Sequence, residues 1–175
     1  MRQFSFACIG FCLLTTISHA KEGIYTVTYV YDGDTIKLHP IDSNNPYDAL
    51  KFRLADIDAP ERNQAYGLKS RRVLMNLCQG KSIIATAQIS GTDQYHRSLG
   101  KLQCNGTDAS MYLVENGWAW HYVPYSNNTL LHNAELNAHQ QNQGLWEDNN
   151  PTPPWIWRKT HQQNAFKPPL PQQKY

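Results

Sequence analysis

The sequence predicts an α+β fold, a five-stranded barrel carrying three attached helices, on three observations. Short runs rich in β-branched and aromatic residues recur at close spacing between residues 23 and 57. Two more such runs follow between 81 and 104, divided by a turn-rich segment. Three stretches with helical periodicity are threaded among and after them.

Taken in order, GIYTVTYVYDGDTIKL (residues 23–38) reads as two antiparallel strands around an Asp-Gly turn. HPIDSNNPYDAL is loop by its Pro, Asn and Asp content, and KFRLADI returns as a third strand. Three short strands with tight connections predict a meander that curls into a small barrel. Beyond Pro60, GLKSRRVLMNLCQG sets Leu74, Leu77 and Cys78 at helical spacing before Gly80 ends it, with Lys69, Arg71 and Arg72 on the other side. KSIIATAQI and SLGKLQC supply strands four and five, separated by GTDQYHR. DASMYLVENG predicts a short helix with Asp108 as N-cap and Gly117 just past its end. NNTLLHNAELNAHQQNQGLW predicts a third helix, capped by Asn128 or Thr129 and stopped by Gly144. After Trp146 proline density argues against regular structure, with Trp155 and Trp157 packing back on the domain and the chain mobile from about residue 162.

The first twenty residues, MRQFSFACIGFCLLTTISHA, have a basic start, an apolar middle and small residues Ser18 and Ala20 flanking His19. That is the layout of a cleavable secretory signal, too short in its apolar stretch for the roughly 20 residues that span a bilayer. The expected organisation is therefore a signal at 1–20, one domain at 21–150 and a Pro-rich extension at 151–175, mobile at its end. The expected location is periplasmic or secreted, with no membrane association after cleavage and a monomeric state. Export leaves Cys78 and Cys104 in a compartment that permits disulfides. A bridge closing that loop would stabilise the fold by about 3 to 4 kcal/mol; the alternative is two buried free thiols. Without Arg2, fifteen Lys and Arg face fourteen Asp and Glu, a net +1, so nucleic-acid binding has to come from local arrangement.

The chemistry lies in two acidic turns. Asp32 and Asp34 flank Gly33, while Asp58 and Glu61 flank the Ala-Pro pair after the third strand. Brought together, two carboxylates about 4 Å apart repel by roughly 4 kcal/mol at an effective dielectric near 20. A hard divalent cation relieves that with oxygen ligands alone, and no Cys or His lies among these residues to argue for zinc. Arg53 precedes the second acidic turn, and Arg97 closes TDQYHR. A guanidinium grips phosphate bidentately at all working pH values. Metal, carboxylate and two arginines together describe a phosphodiester hydrolase.

The ordered set YDGDTIKL, FRLADIDAPE, DQYHRSLGKL, LVENGWA, NNT and GLW resembles the staphylococcal nuclease (thermonuclease) family over roughly residues 24 to 150. The resemblance implies an OB-fold barrel with three helices and a calcium-dependent nuclease that cuts DNA and RNA and leaves 3′-phosphate ends. It implies Asp34 and Asp58 as Ca²⁺ ligands, joined by the backbone carbonyl of Ala59, with Asp32 behind them. Glu61 would be the general base or the group that orients water. Arg53 would bind the scissile phosphate, and Arg97 would stabilise the transition state or protonate the leaving oxygen. Tyr95 and Tyr122 match tyrosines near the nucleotide. Asp56 is unclaimed and reads as a surface residue.

The sequence departs from the family pattern in four places. Ala59 stands where some relatives carry Thr, which a backbone ligand tolerates. His96 replaces a glycine before Arg97, and Pro124 stands where a second pocket tyrosine is found, with Tyr125 next to it. RNQAYG is shorter than the mobile loop of the family's best-known member, so substrate grip falls to Arg62, Lys69, Arg71 or Arg72. His132 and His139 are seven apart, not the four that would let both reach one zinc, and read as surface residues. Trp118 and Trp120 read as packing residues. The alternative to the enzyme is a non-catalytic OB-fold module binding single-stranded nucleic acid. Retention of Asp34, Arg53, Asp58, Glu61 and Arg97 together favours the enzyme. An exported adhesion protein docking through its tail would leave that charged set unexplained.

Overall fold

The computed structural model describes residues 21–165. The signal expected at 1–20 and the last ten residues lie outside them. Strands β1 (Lys21–Val30), β2 (Thr35–Pro40), β3 (Leu50–Leu54), β5 (Ala85–Thr92) and β6 (Ser98–Cys104) form one sheet in the order β3-β2-β1-β5-β6. A parallel pairing of β3 with β6, Phe52 opposite Ser98 and Arg53 opposite Leu99, joins its two ends. The barrel is therefore closed, which removes the edges an open sheet would expose. Very short strands β4 (Ile57–Asp58) and β8 (Trp120–His121) pair beside it, and β7 (Thr107–Asp108) extends β6.

Inside the barrel Val30, Ile36, Leu38, Phe52 and Leu54 alternate with outward residues as period-2 patterning requires. Helix α1 (Gly67–Cys78) buries Gly67, Ser70, Leu74 and Cys78, a stripe at three- and four-residue spacing. The disulfide Cys78–Cys104 joins the end of α1 to the end of β6, with Cα atoms 5.2 Å apart. Asp108 caps α2 (Ala109–Glu115) by accepting from the Met111 N–H, and Asn128 caps α3 (Thr129–Gln140) by accepting from Leu130 and Leu131.

The short strands β4, β7 and β8 are additions to the sequence-based expectation, and the fourth expected strand (residues 81–89) runs instead over Ala85–Thr92. Helix α3 and the C-terminal extension also differ. Helix α3 ends at Gln140, where Asn142 turns left-handed at φ 51°, rather than at Gly144. Gly144 instead lets the chain pass against Gly117, whose carbonyl accepts from the Leu145 N–H at 2.8 Å. The Pro-rich extension forms a fourth helix, α4 (Pro154–Ala165). Its proline opens the helix, where the missing N–H has no intrahelical acceptor to lose, so the residue that argued against a helix starts one. Trp155 docks α4 on Trp120 at 6.4 Å and on Tyr122 at 5.6 Å between ring centroids. Among the described residues no helix is long and apolar enough to cross a membrane.

Candidate active site

The β1–β2 turn holds itself through its acids. The Asp34 N–H donates to Asp32 Oδ1 at 3.0 Å, and the Tyr31 N–H donates to the Thr35 carbonyl at 2.9 Å. Gly33 is required there by space, since a Cβ would come within 1.9 Å of Ser70 Oγ. Asp34 Oδ2 then accepts the Ala59 N–H at 2.8 Å, a direct tie between the two acidic turns.

The second turn breaks the strand alternation that the sequence suggests. Asp56 sits at φ 69°, in the left-handed region, and this single kink sends both Ile57 and Asp58 inward. Asp56 is half-buried, and its carbonyl accepts from the Tyr122 N–H at 2.8 Å. Asp58 is only 1% exposed and Asp34 5%.

Arg53 bridges the two buried carboxylates, with Nε 3.2 Å from Asp34 Oδ1 and Nη2 3.0 Å from Asp58 Oδ1. Thr35 lies directly opposite Arg53 in the β2–β3 pairing and connects the second arginine, its Oγ1 lying 3.3 Å from Arg97 Nη1. His96 adopts φ 59°, the conformation for which a glycine is the usual choice. The turn is intact around it: Asp93 accepts from the Arg97 N–H at 3.0 Å and from its Nε at 2.7 Å.

Glu61 joins the cluster through Arg158, a residue outside every motif of the sequence. Arg158 of α4 donates from Nη2 to Asp58 Oδ2 at 2.7 Å and from Nη1 to Glu61 Oε1 at 2.8 Å and Asp58 Oδ1 at 3.2 Å. Gln64 adds a second tether, accepting from the Glu61 N–H at 3.1 Å and donating to the Thr152 carbonyl at 2.6 Å. Asp34, Arg53, Asp58, Glu61 and Arg97 thus meet at one rim of the barrel, and the C-terminal extension closes over it. A signal was available: Trp155 and Arg158 are three apart, so a helix presents an aromatic anchor and a cation on one face.

Burial, reinforced by the Asp34 charge, pushes the Asp32 carboxyl up to about 7. Burial also raises Asp58, against the opposing hydrogen bond from Arg158. Burial would lower Arg158, but its bonds to Asp58 and Glu61 outweigh that and raise it. The cluster is short of positive charge, and its donors are all oxygens, which is the chemistry a hard cation satisfies. Asp34 and Asp58 are the two buried carboxylates at the rim that could hold such an ion.

The aromatic residues divide. Tyr122 stacks on Tyr125 with centroids 5.2 Å apart, so Tyr125 supplies a ring beside Pro124. Tyr95 is 69% exposed and lies against the Arg97 guanidinium at 5.4 Å. Trp120 is buried between Trp146 and Trp155, and Trp118 packs on the main core. Of the basic residues expected to hold substrate, Arg71 is spent inside the fold, donating to the Val30 carbonyl at 2.8 Å and packing on Tyr29. Arg62, Lys69 and Arg72 remain exposed.

A closed five-stranded barrel with helices on its outside and an acid and arginine cluster on its rim defines an OB-fold protein of α+β class. The family model described as staphylococcal nuclease homologue matches residues 51–148, and the chain belongs to that family. It is similar to a protein named "Uncharacterized endonuclease" from Escherichia coli O157:H7, 39% identical over 133 residues, 75% of this chain and 82% of that one. A Haemophilus influenzae protein of the same name is 34% identical over 154 residues, covering 88% of this chain and 83% of its own. The Arabidopsis thaliana protein named "Staphylococcal-like nuclease CAN1" is 36% identical over 110 residues, 63% of this chain but 33% of that longer protein.

Proposed function

We infer that the protein is an exported, monomeric, Ca²⁺-dependent nuclease that hydrolyses phosphodiester bonds of DNA and RNA with little sequence selectivity and leaves 3′-phosphate ends. The observation that carries this reading is the Arg53 bridge between Asp34 and Asp58, with Glu61 and Arg97 at the same rim. The names of the bacterial relatives support an endonuclease. The layout of residues 1–20 supports export, as does a disulfide, which persists in oxidising compartments.

Arg53 and Arg97 receive the phosphodiester, spreading the charge that develops on its non-bridging oxygens. Glu61 orients the attacking water or takes its proton, and the bond from phosphorus to the 5′ oxygen breaks. Arg97 stabilises that departing oxygen or supplies its proton, leaving the phosphate on the 3′ side. Tyr122 and Tyr125 offer stacked rings for the flanking base. Asp34, Asp58 and the Ala59 carbonyl would hold the cation, which when bound contributes Lewis-acid stabilisation of phosphate charge.

Digestion of labelled single- and double-stranded DNA and of RNA, with Ca²⁺ and with chelator, tests the reading. Cleavage with Ca²⁺ that chelator stops, giving 3′-phosphate termini, is the expected result. Equal binding without cleavage in both conditions would make the protein a binding module instead.

A further inference from the structure

The geometry points to a second metal site, distinct from the carboxylate cluster, in which His121, His132 and Glu135 bind a zinc-like transition ion that clips α3 to strand β8. One ligand atom from each of these side chains lies within 4.8 Å of the others, and they form such a group among the described residues. His132 and Glu135 are three apart on α3, so helical geometry places both on one face toward β8. His139, about one turn beyond Glu135, packs on Trp146 at 4.9 Å and takes no part.

The second observation is an orphaned nitrogen. His121 is 4% exposed, and its Nδ1 is buried with no hydrogen-bond partner. Its Nε2 is paired with Ser126 Oγ at 3.0 Å, and that oxygen also accepts from the Asn128 N–H at 3.2 Å. With the ring proton on Nε2 facing serine, the Nδ1 lone pair is free for a metal. A hydrogen-bonded far nitrogen that fixes tautomer and ring orientation is what metal-bound histidines carry. Glu135 is held as well, its Oε1 accepting the His121 N–H at 3.1 Å and leaving Oε2 to coordinate.

Two imidazoles and one carboxylate suit zinc or a neighbouring first-row ion rather than calcium, whose preference is oxygen alone. Tetrahedral bonds of about 2.0 to 2.1 Å set ligand atoms roughly 3.3 Å apart. The exposed His132 side chain is free to swing inward and supply that contraction. Three protein ligands leave a fourth position for water. The ion would hold α3 against β8, which pairs with β4 through Ile57–His121 and Asp58–Trp120. It would therefore steady the strand pair that carries Asp58 and the residue before Tyr122.

The test uses the full mature chain without a polyhistidine tag. Calorimetry with Zn²⁺ should give one ion per chain that excess Ca²⁺ does not displace, and Co²⁺ should give the visible absorption of a four-coordinate site. His132→Ala and Glu135→Gln should each weaken Zn²⁺ binding by about tenfold or more, with unfolding midpoints in chelator close to the parent's. Zn²⁺ should raise the parent's unfolding midpoint by several degrees and leave both variants' midpoints where they are. Asp34→Asn should bind Zn²⁺ as the parent does. Absence of stoichiometric binding, equal affinity in His132→Ala, or loss of binding in Asp34→Asn would overturn the proposal, the last by placing the zinc among the rim carboxylates.

Discussion

Arg158 Nη2 lies 2.7 Å from Asp58 Oδ2 across a hundred residues of chain, and the same guanidinium reaches Glu61. The acid that would hold a cation and the acid that would act on water therefore share one positively charged partner. Its removal should leave a site hungrier for positive charge. Arg158→Ala is expected to tighten Ca²⁺ binding by about tenfold, the size of one charge-assisted hydrogen bond in a partly exposed site. Calorimetry on the parent and the variant measures it, and an unchanged or weaker affinity would make Arg158 a strut rather than a competitor.

Arg97 is held by Asp93 on one side and reaches Thr35 on the other, so His96 has not turned it away from the rim. Arg97→Ala should lower turnover by about 10² to 10³, the usual loss when one transition-state donor is removed. Its unfolding midpoint should change little, because the side chain is partly exposed. Parent-level turnover would place the transition-state charge elsewhere.

The pH dependence of stability without metal follows from Asp32, raised from 3.8 to about 7 by burial and by Asp34. Between those values the folded protein binds a proton that the unfolded chain has released, so stability falls as pH rises through the window. Asp58 and Glu135, both raised mainly by burial, act in the same direction. In chelator the unfolding midpoint should therefore drop between pH 5 and pH 8, and Ca²⁺ should flatten the slope. A midpoint that climbs over that range in chelator would contradict the assignment.

Cys78 and Cys104 join the last turn of α1 to the end of β6. Reduction should add two hydrogens to the intact mass. Replacing both cysteines with alanine should cost about 3 to 4 kcal/mol in denaturant unfolding if loop closure dominates. Identical masses before and after reduction would remove the bridge.

The barrel was legible because strand periodicity, an Asp-Gly turn and two side-chain-capped helices, α2 and α3, all favour the same local structures, so nothing distant had to override them. The rim cluster was legible only in part. Asp34, Arg53, Asp58, Glu61 and Arg97 stand in recognisable motifs, but Arg158 follows a proline-dense segment whose composition argues against a helix. Its place is set by Trp155 finding Trp120 and Tyr122, a tertiary contact whose partners lie more than thirty residues away, so the local spacing of Trp155 and Arg158 alone does not point to the rim. His121 escaped notice for a related reason, since its partners are on α3 and neither sits at a metal-motif spacing from it. Arg71 shows the reverse: a basic residue on a helix looks like a solvated face until a free strand carbonyl captures it.

The parallel contact between β3 and β6 acts as a seam with only one productive stitching. Arg53 lies within that join and Arg97 immediately before it, with Phe52 facing Ser98. Because strand side chains alternate, slipping the join by a single residue would turn Arg53 into the space Phe52 and Leu54 fill and draw the two guanidiniums out of step. The span between those cations is thus written into barrel closure itself, and packing mutations far from any acid can detune it.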